Sequence, residues 1–310
     1  MEMAAKMPKA AVSFFLPDPS LRRSISAYYV VEPPEDGREI ADLLHPEWAN
    51  IRLALGGSWT LGGRASNATS PPELYGPTSR ASPIRGQGGT GLGVGILPHG
   101  WATLVDGAAS DLADKVAPLA AFMGDAAASE LGKLRSCPDH AARAAALDAF
   151  FLARMAARPP CDDIVGLAHA VLMKPEIATV EEFAAALGVS LRQAHRLSLR
   201  VFGFPPKLLL QRQRFLRTLA ILRQNRDRPW ADLIDARYYD QSHLARDFNR
   251  FMGMPPSQYF SLRHDMLEPA AAARITSVGQ AMQGLQPPIV ARLHSVAMSD
   301  SSKPGGNRSS

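Results

Sequence analysis

The spacing of apolar and polar residues predicts two helices and a tight turn in the C-terminal half of the chain. A capping box at residues 179–182 starts a helix whose apolar positions recur every three or four residues, until Gly188 permits a sharp reversal. A second capping box at residues 190–193 starts the next helix, which we expect over residues 190–202. The side chains expected to point inward from this second helix are Leu191, Ala194, Leu197 and Val201.

The same pattern returns fifty residues later. Residues 180–206 align without gaps on residues 230–256, and the motif FGFPP of residues 202–206 falls on MGMPP of residues 252–256. Asp240 is the expected cap of the second copy's second helix. Between the copies, residues 206 to about 224 predict one long helix, which at 1.5 Å per residue would span about 28 Å. Its expected apolar positions are Leu209, Phe215, Leu216, Leu219 and Leu222, and its expected polar positions are Arg212, Arg214, Arg217 and Arg223. We therefore expect two copies of one helical unit joined by a long helix.

The N-terminal half has a different sequence pattern, in which short apolar runs are separated by glycine and proline. Residues 25–32 predict a strand, residues 50–61 predict two strands joined as a hairpin at Gly56-Gly57, and residues 92–96 alternate as a further strand. From about Ser110 the pattern becomes helical, first through Leu112, Val116, Leu119 and Phe122 and then over residues 139–155. The predicted fold is α+β, with a β-rich N-terminal domain, trailing helices and an all-α C-terminal domain.

Composition and length narrow the class of protein. The chain has 310 residues, of which 46% are apolar and only two are cysteine, so a disulfide scaffold and a disordered chain are both excluded. No apolar run is long enough for a membrane span or a convincing signal peptide, which favours a cytoplasmic protein. We expect domains at 1–158 and 162–264, followed by a mostly disordered tail at 265–310.

Charge is concentrated on the repeated units. Residues 174–263 contain 15 Lys and Arg against 8 Asp and Glu, a net charge of +7, whereas the rest of the chain has 19 against 21, a net charge of −2. Arginines spaced four residues apart form a basic stripe on the second helix of the first unit. A helix face exposed to solvent explains one such stripe. Two stripes at matching positions of the two units, within a segment that carries the positive charge of the chain, are instead typical of a helix-turn-helix domain that binds DNA phosphates.

These residues resemble a known family. The phrases LGVSLRQ at 187–193, FGFPPK at 202–207 and YDQSHLARDF at 239–248 resemble the tandem helix-turn-helix domain of AraC/XylS-type transcriptional regulators. The resemblance covers about residues 164–259. It implies double-stranded DNA and RNA polymerase as partners, an N-terminal sensor and dimerisation domain that is often a cupin-like barrel, a homodimer and a small-molecule effector. The family commonly has a glycine before the second recognition helix, where this chain has Arg237 and Tyr238.

The candidate DNA-binding residues lie on the two second helices and at the start of the linking helix. Arg192 and Arg196 are the best candidates for base edges, because an arginine fork matches guanine O6 and N7. Arg200, Arg250 and Lys207 lie nearer helix ends and fit phosphates. The full set of candidates is Ser190, Arg192, Gln193, His195, Arg196, Arg200, Lys207, Gln241, Ser242, His243, Arg246 and Arg250. For His195 and His243 a buried or capping role is the alternative.

Three sequence features outside the repeated units suggest chemical sites, but their surroundings do not fit the chemistry. Gly91–Gly95 resembles a dinucleotide-binding turn, but Pro98 closes the segment instead of a helix following it. The histidines His45, His99 and His140 are far apart without a paired motif, and neither Cys137 nor Cys161 has a neighbour that would lower its pKa. We therefore expect no enzyme activity, no metal and no cofactor. The alternatives are a cupin-type metal enzyme with a helical appendage and a regulator that senses a partner protein.

Two surfaces of the N-terminal half are candidates for binding. The aromatic residues are interpreted either as the lining of an apolar effector pocket or as part of a plain hydrophobic core; they are Trp48, Trp59, Tyr75 and Trp101. The small-residue face of the helix after Asp139, formed by Ala142, Ala145, Ala149 and Leu152, would pack on a second subunit.

Overall fold

The computed structural model describes residues 9–159, 161–226 and 241–288, except for the side chain of Gln241. Its strands are β1 Ala11–Phe15, β2 Ile25–Glu32, β3 Ile40–Leu44, β4 Asn50–Ala54, β5 Ser58–Leu61, β6 Arg64–Asn67, β7 Glu73–Tyr75, β8 Ser82–Gln87, β9 Gly91–Ile96 and β10 Val116–Pro118. Its helices are α1 Pro98–Leu104, α2 Ala109–Leu112, α3 Ala120–Met123, α4 Asp125–Gly132, α5 His140–Ala156, α6 Ile164–Met173, α7 Val180–Leu187, α8 Leu191–Phe202, α9 Pro206–Gln224, α10 Gln241–Met252, α11 Pro256–Ser261 and α12 Leu267–Val278.

The N-terminal half contains two antiparallel sheets, as the alternating pattern predicts. One sheet has the strand order β1-β2-β9-β4-β7-β10 and the other the order β3-β8-β5-β6. Strand β2 has the predicted bounds, and all but two of its eight side chains are buried, because it lies between two neighbours. The glycines at 93 and 95 lie within β9, where a side chain would collide with Tyr29 and Ser26 of β2. They therefore serve strand packing rather than a nucleotide-binding turn.

The predicted hairpin within residues 50–61 is wrong. Both strands exist, but β4 pairs with β7 and β9 in one sheet, while β5 pairs with β6 and β8 in the other. The amides of Leu55 and Gly56 donate instead to the carbonyl of Thr90. Gly57 has φ +67°, and a Cβ there would lie 1.2 Å from the carbonyl oxygen of Gly88. The two glycines thus carry the chain past the β8–β9 turn from one sheet to the other.

The helices that follow the sheets differ in part from the prediction. Pro98 begins α1 instead of only ending the strand before it, since proline suits the first turn of a helix. The helix expected around Val116 is interrupted, because residues 116–118 form β10 and pair with β7. Helix α5 matches the helix predicted over residues 139–155, and the Asp139 side chain accepts from the amide of Ala142 at its start.

The C-terminal half is helical and repeats at the predicted offset. Helices α8 and α10 each have twelve residues and begin fifty positions apart. Each is followed by a glycine in the left-handed conformation, Gly203 or Gly253, and then by a helix that starts with proline. The long helix α9 lies between them over the predicted range.

Residues 265–288 differ from the disordered tail expected over 265–310. They form α12 and a short 3-10 helix at Gln283–Leu285, and α12 packs on β1. The carboxylate of Asp42 accepts from the amides of Met266 and Leu267 and from the ring of buried His264, which fixes the start of the helix. This cap comes from a distant part of the chain, so neighbouring residues gave no signal of it. Residues 289–310 lie outside the described residues.

The apolar cores do not follow the division of the chain into halves. Trp101 lies in the core between the first sheet and its helices, and Trp59 lies in a smaller cluster with Ile40 and Met266. Trp48 and Leu97, from the N-terminal half, are instead part of the core of α6, α7 and α8. The first helix-turn-helix unit therefore completes its core with side chains from the sheet domain.

Candidate nucleic-acid interface

The first unit folds as its capping pattern predicts. The Thr179 hydroxyl accepts from the amide of Glu182, whose carboxylate accepts from the amide of Thr179, so α7 starts with a reciprocal capping box. Gly188 ends α7 with φ +65°, a left-handed conformation that favours glycine. A second capping box between Ser190 and Gln193 starts α8 three residues later. Helix, turn and second helix are thus each fixed by local hydrogen bonds.

Helix α8 presents the predicted basic stripe to solvent. Ala194, Leu197 and Val201 are buried against the rest of the unit. The opposite side is exposed and consists of Arg192, His195, Arg196 and Arg200. Leu191 was expected to be inward but is 49% exposed, because it is the first residue of the helix and lies beyond the edge of the core. The side chains that a duplex would meet on this helix therefore include three arginines.

Two of the candidate residues have a structural use in the cap. The amide of Gln193 donates to the Ser190 hydroxyl, and the Gln193 side-chain oxygen accepts from both the amide and the hydroxyl of Ser190. Both residues are exposed at the start of α8. Their first role is to fix the position at which the helix begins, and a contact with DNA would come in addition.

Helix α10 presents an equivalent stripe in the second unit. Ser242, Arg246, Asn249 and Arg250 are exposed, while Leu244, Phe248 and Phe251 are buried. Arg250 donates to the side-chain oxygen of Gln211 at 2.8 Å and lies over the ring of Phe251. The expected cap Asp240 and the atypical turn at Arg237 and Tyr238 lie outside the described residues, as does the side chain of Gln241.

His243 differs from the exposed candidates of α10. It is half-buried, and its Nε2 lies 3.3 Å from the guanidinium of Arg214 on α9. Arg214 also forms an ion pair with the buried carboxylate of Asp247 at 2.9 Å. Asp247 occupies the position that Leu197 has in the first unit, so the second unit replaces an apolar contact with a polar one. His243 therefore faces the linking helix.

The linking helix α9 differs most from its predicted polarity. Its apolar residues are buried as expected, but Arg212, expected on the polar side, is fully buried. The guanidinium of Arg212 lies 3.9 Å from the centre of the Trp48 ring and donates to the carbonyls of Thr78 at 2.9 Å and Glu47 at 3.4 Å. Burial lowers the pKa of Arg212 to about 9. Arg212 is buried because of a tertiary contact, since Trp48, which covers its guanidinium, belongs to the other half of the chain. Lys207, at the start of α9, is exposed.

A cavity of about 280 Å³ lies between the sheets, the C-terminal end of α9 and α12. Its walls are mostly apolar, with Phe14 and Tyr29 as the aromatic members and Arg52, Arg223 and Arg274 among the polar ones. Trp48, Trp59, Tyr75 and Trp101 do not line it and are buried in packed regions, so the core explanation holds for these four. No local pattern along the chain could indicate this site, because its walls come from segments more than 200 residues apart.

The histidines and cysteines that the sequence offers as candidate ligands or nucleophiles do not lie together. His45 bonds to Tyr259, His99 to the Ser24 hydroxyl, and His140 lies beside Glu32. Burial raises the pKa of the Cys161 thiol. Within residues 9–159, 161–226 and 241–288, no three His, Cys, Asp or Glu side chains are placed to hold a metal ion. In the same ranges, no helix is long and apolar enough to cross a membrane.

Comparison with known proteins identifies one segment. Residues 183–261 match the model of a family described as a helix-turn-helix domain. A search of curated proteins finds no match. Two crystal structures of ToxT from Vibrio cholerae are similar to this chain, one an apo variant at 13% identity and a TM-score of 0.39, the other at 9% identity and a TM-score of 0.36. The alignment with the first structure covers 82% of this chain and 97% of the ToxT chain. The alignment with the second covers 81% of this chain and 96% of the ToxT chain.

Proposed function

Because residues 183–261 are an AraC-type helix-turn-helix domain, we propose that this DNA-binding transcriptional regulator reads two successive major-groove segments with α8 and α10. One observation carries the proposal. Two helices of equal length, fifty residues apart, each bury an apolar side and expose arginines on the other. A recognition helix needs this arrangement, since one side must pack on its own unit while the other meets base edges and phosphates.

The residue roles follow from position along the helices. Arg192 and Arg196 are one turn apart, about 6 Å along the axis, which is close to two base-pair steps. We assign these two side chains to neighbouring base pairs and Arg246 to the second segment. Arg200 and Lys207 are assigned to phosphates. Ser190, Gln193, His195, Gln241, Ser242, His243 and Arg250 remain candidate contacts.

Selection of duplexes from a random-sequence pool tests the proposal. The full-length protein should enrich one sequence and bind it with an affinity that falls steeply as salt is raised, because phosphate contacts release counterions. A double variant, Arg196→Ala with Arg246→Ala, should lose the enrichment while keeping salt-dependent binding. Glu176, an exposed residue before α7, offers a control as Glu176→Ala. Binding of all duplexes equally by the wild-type protein would overturn the proposed sequence specificity.

We also propose that the cavity beside α12 holds a small-molecule effector, which would make the regulator responsive. It lies between the proposed sensor domain, 1–158, and the proposed DNA-binding domain, 162–264, so an occupant would contact both. Such a ligand acts by binding one of two states more tightly. The fluorescent probe 1-anilinonaphthalene-8-sulfonate should bind the variant Ala271→Phe, in which the new side chain fills the cavity, less well than it binds the wild-type protein. Ala272→Phe, on the exposed side of the same helix, is the control.

Equal binding of the probe by both variants would remove the cavity from the proposal and favour a regulator that senses a partner protein. We further propose a homodimer through α5, where Ala145 and Ala149 are exposed, and contact with RNA polymerase on DNA. A monomer in sedimentation at micromolar concentration would count against the dimer.

A further inference from the structure

Two loops of the N-terminal half contact both helix-turn-helix units. The first loop, residues 45–49, joins β3 to β4, and the second, residues 77–81, precedes β8. The Glu47 amide donates to the Thr78 hydroxyl and the Thr78 amide donates to the Glu47 carbonyl, so the loops are bonded to each other. The Glu47 carboxylate pairs with Arg52 of β4, which ties the loops to the first sheet. We call these two loops the brace.

The brace contacts the first unit at the end of its recognition helix. The ring of Trp48 lies 5.6 Å from that of Phe202, the last residue of α8, and is fully buried in the core of the unit. Gly203 follows with φ +83°, and a Cβ there would lie 2.6 Å from the side chain of Pro77. The C-terminal end of α8 is thus held between the two loops.

The brace contacts the second unit in the same manner. The Nε2 of His45 lies 2.7 Å from the Tyr259 hydroxyl, and the Tyr259 ring packs at 5.9 Å from Phe248 of α10. Burial and the nearby Arg223 keep the pKa of His45 well below its ordinary value, so its neutral ring can accept a hydrogen bond from the Tyr259 hydroxyl. The Ala81 amide also donates to the carbonyl of Phe251 at 2.7 Å. Both recognition helices are therefore tied to one rigid support.

We propose that the brace sets the distance and angle between α8 and α10 and so determines which spacing of two half-sites the protein accepts. Helix α9 connects the units covalently and packs on both of them, with Arg250 bonded to Gln211 and Arg214 paired with Asp247. The brace adds a second connection between the units, so that a bend or rotation of α9 would also have to break the contacts of the brace. Trp48 and His45 are positioning residues in this role, since they act on the recognition helices through Phe202 and Tyr259. The inference rests on the proposed function.

Glycine substitutions give a matched test. Gly203→Ala would force the end of α8 away from Pro77, while Gly253→Ala has a similar φ of +73° but no described atom within 4 Å. Two further pairs, each a variant and its control, test the contacts of Trp48 and His45 by removing the side chain. Trp48→Leu is compared with Trp59→Leu, a buried tryptophan that lies over Gly86 and Gly91, and His45→Ala with His140→Ala. Circular dichroism and thermal unfolding of each full-length variant establish that it is folded.

The assay uses a duplex selected by the wild-type protein, with and without five base pairs inserted between its half-sites. Five base pairs turn one half-site to the opposite side of the duplex, so the wild-type affinity should fall about a hundredfold. For Gly203→Ala, Trp48→Leu and His45→Ala we expect a penalty below about tenfold. Binding of a single half-site by the unit that the substitution does not contact should be unchanged, which is the α10 half-site for Gly203→Ala and Trp48→Leu and the α8 half-site for His45→Ala. The three controls should keep the wild-type penalty. A wild-type penalty in folded Gly203→Ala and Trp48→Leu would overturn the brace. Failure of the wild-type protein to select any duplex would instead overturn the proposed function, and the brace with it.

Discussion

Replacing Trp48 with alanine is expected to loosen the first helix-turn-helix unit although the residue belongs to the N-terminal half. Its side chain is 1% exposed and packs among α6, α7 and α8. Truncation of a buried tryptophan costs about 3–5 kcal/mol. The Arg212 guanidinium also loses the ring beneath it, a contact worth about 2 kcal/mol when desolvated. We therefore expect the free energy of opening this unit to fall by about 5 kcal/mol.

Hydrogen exchange read by mass spectrometry locates this loss. Amides of α6, α7 and α8 should exchange at least about a thousandfold faster in Trp48→Ala, since each 1.36 kcal/mol corresponds to a factor of ten. Amides of β2 and β9, in the core around Trp101, should keep their protection. Trp59→Ala is the control and should affect β5 and β8 instead. Faster exchange confined to the sheets in Trp48→Ala would refute the assignment of this side chain to the helical core.

Three further predictions concern substitutions of single residues. Burial lowers the pKa of His169 to about 3. As the pH falls from about 6.5 towards 3, the unfolded chain therefore binds a proton that the folded protein does not bind, and the free energy of unfolding decreases. At pH 4.5 this decrease should be about 2.5 kcal/mol in urea unfolding, and His169→Gln should not show it. Gly57→Ala should lower the melting temperature far more than Gly37→Ala, because both glycines have positive φ but only Gly57 lies against a carbonyl of the β8–β9 turn; equal shifts would contradict this. Arg196→Ala should cost about 1–3 kcal/mol and relax one base position, whereas Lys207→Ala should weaken all sequences alike and reduce the salt slope by about 1, so equal, sequence-independent losses would contradict the assigned roles.

The helical units were predictable because their signals are local. A capping box, a left-handed glycine and apolar residues at helical spacing all act within a dozen residues, and α7, α8 and α9 match their predicted ranges closely. The fifty-residue repeat added a second, independent check. This is why the bounds of α10 follow from those of α8.

Features that depend on distant partners could not be predicted. Arg212 has the sequence context of a solvated arginine, and only the arrival of Trp48 makes it a buried one. Gly56-Gly57 is a hairpin signal, yet the close approach of the β8–β9 turn sends the two strands into different sheets. The start of α12 is capped by Asp42, more than 220 residues away. In each case the decisive contact joins parts of the chain that no local pattern connects.

The central claim is that α8 and α10 read two successive segments of one duplex. Selection from a random-sequence pool with the wild-type protein, Arg196→Ala and Arg246→Ala tests it most directly. We predict a wild-type site with two conserved segments whose centres are about one helical turn apart, roughly 10 base pairs. Arg196→Ala should relax one segment and Arg246→Ala the other. A single conserved segment, or relaxation of the same position by both variants, would contradict the account.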